Sequence, residues 1–384
     1  MIPASVCQLE RRGTLAGRAT LLMSASSSIS AFRARIALLL CACAVAALPQ
    51  AAGRAGVAAQ GPGPPRLLEA GGLRAWHVQG NVWMLAGAGA NITVQASNAA
   101  AAGPGAGEGL LLVDTGRTEM SARVLDLLRL ISPGRIEYIV NTQSDADHVG
   151  GNEAFAKPRM DFLWTPGTVL GPGVKVIAHE SVLGRMSAPG EGGRPLYPVS
   201  AWPTYTFFSH ERKIFFNDEP VIVTHEPAAH SDGDSVVFFR GSDVISAGDL
   251  FQTTSYPVID RRQGGSLGGT VTALNHMLEL MVPRYNQEGG TYVVPGHGRV
   301  GDQHDVLEYR DMLVIIGDRI RDGVRRGLTL AQIKAGRPTL DYDARWGVAS
   351  GAWTTDMFID AVYQESASPD PSKEGSFQEG TARK

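Results

Sequence analysis

The chain is predicted to fold as a layered α/β sandwich, and three features of its sequence say so. Short runs rich in β-branched, aliphatic and aromatic residues recur between Leu73 and Val294, punctuated by Gly, Asn and Pro. Leu110–Val140 reads as strand, helix, strand, the pattern of a βαβ-type unit. Helical spacing takes over in the last sixty or so residues of the body, so mixed strands are flanked by helices. The composition agrees. Across 384 residues, 43% hydrophobic and 19% charged describe a globular chain, and Gly 46 with Pro 22 suits loops rather than a helix bundle.

The elements follow in order. Leu73–Val78, Val82–Leu85 and Ile92–Gln95 are the first strands, followed by an Ala/Gly-rich stretch, Ala99–Gly109, read as an exposed loop. Leu110–Val113 is a continuous apolar strand ending in Asp114-Thr115-Gly116. From Thr118 to Ile131 the apolar residues fall at 120, 124, 127, 128 and 131, a helical spacing closed by Pro133-Gly134. Ile136–Val140 and Val174–Ala178 are strands, with a helix from Ser181. Strands then follow at Tyr205–Phe208, Lys213–Phe216, Val221–Thr224, Ser235–Phe239 and Val244–Ser246. A helix near Thr270–Met281, strand Tyr292–Val294 and helices at about 304–324, 329–335 and 354–363 complete the body. There is no internal repeat and no heptad pattern.

The ends of the chain read differently. Arg33 and Arg35 precede the apolar run Ile36–Leu48, which is followed by small residues: the n-region, h-region and cleavage zone of a secretory signal. Thirteen apolar residues are fewer than the ~20 a bilayer span requires, so no stable membrane insertion is expected after cleavage. The first 22 residues read as extra sequence upstream of Met23, and a lipid on Cys43 is the weaker alternative. The expected organisation is therefore 1–52 upstream extension and signal peptide, 53–66 linker, 67–363 folded domain and 364–384 disordered tail. The expected location is periplasmic or extracellular.

Charge and cysteines narrow the function classes. Residues 1–60 hold six Arg and one Glu, which leaves 29 basic against 37 acidic groups over residues 61–384. A mildly acidic body without Lys/Arg runs argues against nucleic acid or anionic lipid as partner, and leaves a small-molecule substrate. Cys7, Cys41 and Cys43 all precede residue 50, so the body has no disulfide, cysteine-zinc knuckle or catalytic thiol.

Four loops, each after a predicted strand, carry candidate metal ligands. They are Asn141–Asn152 (NTQSDADHVGGN), Ala229–Asp234 (AHSDGD), Gly248–Phe251 (GDLF) and Pro295–Gly298 (PGHG). Gln143, Asp145 and Asp147 alternate, so in extended backbone they project to one side, and His148 begins a helix. His230 and His297 bring imidazoles from distant loops, and Asp249 brings a carboxylate able to bridge two ions. Nitrogen and oxygen donors without sulfur suit Zn, Mn or Fe. Singly, each residue has a plain structural explanation: a loop His, a turn Asp, a helix N-cap. Four independent loops repeating the pattern make a joint metal site the better explanation.

These runs, with VDTG at 113–116, resemble the metallo-β-lactamase superfamily, in that family's chain order, from about Asn81 to Tyr363. The resemblance implies an αββα sandwich: two mixed β-sheets flanked by helices, with the metals at one edge. It also implies hydrolysis by a metal-bound water. The first family motif, His-x-His-x-Asp-His, is altered here: Gln143 and Asp145 stand where the two leading His belong. The family pattern puts Asp147, His148, His297 and bridging Asp249 in one metal position, intact here. The other would comprise Gln143, Asp145, His230 and Asp249. A carboxylate in place of an imidazole lowers the Lewis acidity felt by bound water and favours harder ions, Mn²⁺ or Fe²⁺, over Zn²⁺. One or two Zn²⁺ ions remain the first expectation.

The expected function is a metal-dependent hydrolase of an ester-like, amide-like (β-lactam included) or phosphoester bond. Asp147 would ligate metal, orient the nucleophile or shuttle its proton, and Asp114 would brace the site by hydrogen bonds. His179 and His225 are read as structural, Asp232 and Asp234 as shaping the His230 loop, and Tyr256–Gly269 and Arg159–Gly173 as bordering substrate. The rivals are a non-catalytic or mononuclear-metal binding module with a degenerate first site, and a di-iron redox protein, favoured by the carboxylate-rich ligands but opposed by a body with no cysteine and no flavin-binding or rubredoxin-like segment after it.

Overall fold

The computed structural model describes residues 67–97, 109–156, 173–283 and 290–368, all within the unit Gln60–Lys384. The signal, the linker ahead of residue 67, the Ala/Gly-rich stretch up to residue 108, most of Arg159–Gly173 and the tail beyond residue 368 lie outside the described residues.

The first sheet contains β1 (Leu67–Ala70), β2 (Leu73–Gln79), β3 (Val82–Ala86), β4 (Ile92–Ala96), β5 (Leu110–Val113), β6 (Ile136–Val140), β7 (Lys175–His179) and β8 (Tyr205–Phe207), side by side in chain order. Pairing is antiparallel up to β5 and parallel from β5 to β8. Four helices connect its later strands: α1 (Ser121–Ile131), α2 (Ala146–Val149), α3 (Asn152–Ala156) and α4 (Glu180–Met186). The second sheet contains β9 (Glu211–Phe216), β10 (Glu219–His225), β11 (Ser235–Phe239), β12 (Val244–Ser246), β13 (Tyr292–Val294) and β14 (Gly301–Asp302), in spatial order 14-13-12-11-10-9. Only its β12–β13 pair is parallel. Helices α5 (Leu267–Leu280), α6 (Gln303–Arg325), α7 (Leu330–Ala335), α8 (Asp343–Trp346) and α9 (Thr355–Ala367) complete the described chain.

Strand alternation makes this a four-layer αββα sandwich. In β3, Val82 and Met84 face the second sheet; in β5, Leu111 and Val113 do. They meet Val221, Val223, Val237 and Phe239 in the central core. The alternate residues Trp83, Leu85, Leu110 and Leu112 face outward and pack with Val124, Leu127 and Leu128 of α1. On the far side, Val236, Ile245 and Val293 pack against α5, α6 and α9 through Leu274, Met277, Leu313, Ile316 and Phe358. No helix among the described residues is long and apolar enough to cross a membrane.

Two differences from the sequence expectation have simple causes. Strands β1 and β14 were not anticipated, because four and two residues are too few to show a period; each is fixed by pairing to its neighbour. Helix α9 runs to Ala367, past the boundary expected at residue 363. Its Glu365 carboxylate accepts from the backbone N–H groups of Leu267 and Gly268, at 2.6 and 3.1 Å, so the last turn is tied to the start of α5.

Candidate metal centre

The site is built on loops that leave the strands at one edge, where apolar runs stop and polar residues begin. Val113 ends β5, and Asp114 turns sharply with φ 63, in the left-handed region. Asp tolerates this conformation better than most residues. The turn delivers its carboxylate to the loop after β6. Oδ1 accepts from the Thr142 backbone N–H at 2.8 Å, and Oδ2 accepts from Thr142 Oγ1 and His148 Nδ1, each at 2.7 Å. A carboxylate only accepts, so Nδ1 of His148 carries a proton and Nε2 is aimed elsewhere.

Nε2 is aimed at Asp249. That residue sits in the tight turn after β12, with Oδ2 3.2 Å from His148 Nε2 and Oδ1 3.5 Å from His297 Nε2. His297 Nε2 is in turn 3.5 Å from Asp147 Oδ2. Both His148 Nε2 and Asp249 Oδ1 are buried without a hydrogen-bond partner. One ligand atom from each of Asp147, His148 and His297 lies within 4.8 Å of the others. Gly296 permits this approach, because a Cβ there would run into Asp249 Oδ1.

A second cluster adjoins the first. Asp145, His230 and Asp249 also offer ligand atoms within 4.8 Å of one another. His230 Nδ1 donates to the Val258 carbonyl at 3.0 Å, so Nε2 faces Asp145 Oδ2, 3.3 Å away. Gln143 is buried here, and its Nε2 donates to Asp249 Oδ2 at 2.7 Å. The amide therefore spends its donor on the carboxylate shared by the two clusters.

Electrostatics follow from this crowding. Burial disfavours a proton on His148, but Asp249 and Asp114 outweigh it and hold the imidazole well above its usual value. Burial likewise opposes a charged His230, yet Asp145, Asp234 and Asp249 push it up to about 10. Burial would raise Asp249, but the imidazoles around it keep its carboxyl below the usual carboxylate range. Without a cation, protons are what balance these carboxylates.

Other residues act from behind. Asp234 Oδ2 accepts from the Ser231 N–H at 2.6 Å and Oδ1 from the Ser231 hydroxyl at 3.1 Å, shaping the turn that carries His230; burial raises Asp234 to about 6. Asp232 pairs with Arg185. His179 and His225 stack face to face at 3.5 Å and join neither cluster. Within Tyr256–Gly269, the Asp260 and Ser266 N–H groups bond the carbonyls of His230 and Ala229, both at 2.9 Å, and Tyr256 is buried. Those contacts run to the back of the His230 loop. Arg159–Gly173 falls almost entirely outside the described residues.

Two residues went unnoticed in the sequence. Asn91, in the turn between β3 and β4, donates from its backbone N–H to Gly296 O at 2.8 Å. Its Nδ2 reaches the carbonyls of Pro295 and Gly298, both at 3.0 Å, so one side chain clasps the His297 loop. Tyr197 donates to the Ser144 carbonyl at 2.8 Å, bracing the acidic loop; burial and the charges of Asp145 and Asp147 push it up to about 12. GAGAN reads as an ordinary hairpin turn, and nothing near Tyr197 marks its partner.

Comparison with known proteins bears on the family and the fold. Residues 93–313 match the family model described as the metallo-beta-lactamase superfamily. Among solved structures, the inverting sec-alkylsulfatase Pisa1 from Pseudomonas sp. is similar at TM-score 0.53 and 17% identity, covering 76% of this chain and 50% of that one. A double mutant of the same sulfatase gives TM-score 0.55 and 17% identity, covering 78% and 53%. The chain thus spans about half the length of these sulfatases. The DIM-1 metallo-beta-lactamase is similar at TM-score 0.46 and 15% identity, covering 65% of this chain and 99% of that one. No curated protein matches the chain.

Proposed function

Because the chain belongs to the metallo-beta-lactamase superfamily, whose members are generally metal-dependent hydrolases, we propose that it hydrolyses an ester-like, amide-like or phosphoester bond in a small molecule. The carrying observation is the pair of buried atoms that make no hydrogen bond, His148 Nε2 and Asp249 Oδ1, beside the ligand atoms of Asp147 and His297. Buried polar atoms left unpaired are costly, and two that can each present a lone pair to one gap fit a cation. Zinc suits two imidazoles and two carboxylates, with Mn²⁺ or Fe²⁺ as the harder alternatives. When bound, the cation acidifies a water and polarises the substrate oxygen.

The chain's own residues divide the remaining tasks. His148 and Asp249 are buried, whereas the side chains of His297 and Asp147 are 33% and 22% exposed, so substrate approaches on their side. Asp147, in the first turn of α2, orients the attacking water and accepts its proton. Asp114 holds the His148 ring in place. The likeness to sec-alkylsulfatases adds a sulfate ester to the ester-like candidates worth assaying. The reading includes export: the mature chain begins near residue 53, which N-terminal sequencing of the secreted or periplasmic protein tests.

The test is a panel of p-nitrophenyl acetate, bis-p-nitrophenyl phosphate, p-nitrophenyl sulfate and a chromogenic cephalosporin, run with bound metal quantified. Turnover that disappears on chelation and in Asp147→Ala and His297→Ala supports the hydrolase. Bound metal without turnover of any member favours the second reading, a mononuclear-metal binding module. That reading draws on the Gln143–Asp249 hydrogen bond, which turns a site atom to internal bonding.

A further inference from the structure

We infer that the two clusters are unequal and that Gln143 makes them so: one cation binds tightly at Asp147, His148, His297 and Asp249 Oδ1, while the Asp145–His230 cluster binds a second far more weakly. The inference rests on the metal-binding part of the reading above, not on turnover.

The donor inventory differs between the two. The first cluster has two buried donor atoms that make no hydrogen bond, His148 Nε2 and Asp249 Oδ1, held only by charge contacts at 3.2 and 3.5 Å. His148 is also oriented from behind by Asp114. With one oxygen of Asp147 and Nε2 of His297, three loops bring donors together: Asp147, His148 and His297 offer atoms within 4.8 Å of one another, and Asp249 Oδ1 lies 3.5 Å from His297 Nε2. Four such donors complete a tetrahedral set.

The second cluster lacks that completeness. Asp145 and His230 face each other at 3.3 Å, and Asp145 is partly exposed, so water competes for it. The third donor, Asp249 Oδ2, already accepts from Gln143 Nε2 at 2.7 Å. A cation taking that oxygen must break or weaken the bond and leave a buried amide N–H without its acceptor. An imidazole in place of Gln143 would present a lone pair instead of a competing donor. The amide hydrogen bond thus stands in for part of what a second ion would supply to Asp249.

The test is native mass spectrometry and competitive Zn²⁺ titration of the purified mature chain. The expected result is one tight equivalent, with any second event at least 100-fold weaker. His297→Ala loses the tight ion, His230→Ala retains it, and Gln143→His gains a second tight equivalent. That gain is a result a misfolded variant cannot mimic. Two ions of matched affinity in the unaltered chain overturn the inference, as does loss of the tight ion in His230→Ala or no gain in Gln143→His. Absence of any bound ion overturns both this inference and the hydrolase reading. One tight ion without turnover leaves the inference standing and rejects the hydrolase alone.

Discussion

Asp114 Oδ2 and His148 Nδ1 meet at 2.7 Å with both side chains buried, a bond shorter than the 3.3 Å contact of Thr142 Oγ1 with the same nitrogen, and it fixes which nitrogen of His148 faces the cluster of carboxylates. Asp114→Asn retains the shape and the tolerance of the left-handed turn, but replaces a two-oxygen acceptor by an amide that offers a donor to one of its partners. Cation affinity is expected to fall by ~10–100-fold. Asp114→Ala adds backbone strain at φ 63 and should melt lower than Asp114→Asn. Equal melting of the two variants, with unchanged Zn²⁺ affinity, would show that the bond orients nothing.

Protons and cations compete for the same atoms, which fixes the sign of two pH dependences. His148 is held well above its usual value, so a cation at Nε2 must displace a proton. Affinity should rise by about tenfold per pH unit for each proton displaced, below that pKa. Calorimetry in buffers of different ionisation heat reads the released proton directly.

The chelated protein should show the opposite trend in stability. His230 rises from 6.5 to about 10 on folding, so its contribution is complete below pH ~6.5 and is lost as pH climbs toward 10. Thermal melts of the chelated chain from pH 6 to 10 should therefore fall, with a shallower slope in His230→Asn. A melting temperature that rises across this window refutes the assignment.

Much of this was legible beforehand for a physical reason. Each ligand loop follows a strand rich in apolar residues, such as Ile136–Val140 or Tyr292–Val294, so the point where the strand must end is written in hydrophobicity. His148, His230, Asp249 and His297 stand in the loops that follow such points. What was not legible depends on distance in the chain. Asn91 acts 204 and 207 residues away, and Glu365 acts 98 residues away on Leu267. Neither leaves a local pattern. The orientation of the Gln143 amide toward Asp249 was also invisible: the residue type allows either a carbonyl ligand or an N–H donor.

Asn91 yields a separable prediction. Its Nδ2 holds the carbonyls of Pro295 and Gly298, the residues around His297, while the neighbouring Ala90 N–H reaches Asp147 O at 3.3 Å. Asn91→Ala leaves two carbonyls short of a donor and should cost about 1–3 kcal/mol in denaturant unfolding. Because His297 is the freed element, cation affinity should drop more than it does in a core truncation of equal cost, such as one at Leu313. Parallel losses in stability with equal affinities would reduce Asn91 to an ordinary packing residue.

Glu365 links the end of the described chain to the site through a single helix start. Its two oxygens accept from Leu267 and Gly268 N–H at the first turn of α5, where Ser266 is the N-cap and accepts from Gly269. Negative charge at a helix N-terminus is favourable, and losing such a cap costs about 1 kcal/mol. The same turn abuts the His230 loop, since Ser266 N–H and Oγ–H donate to Ala229 and Ala228 carbonyls at 2.9 and 2.7 Å. Glu365→Ala should therefore lower the melting temperature and speed amide exchange at Leu267 and Gly268. Truncation after Tyr363 should do more, and truncation after Ser368 nothing. If the chain cut after Tyr363 is as stable as the full one, α9 ends functionally where the sequence first suggested, and the Glu365 contact carries no weight.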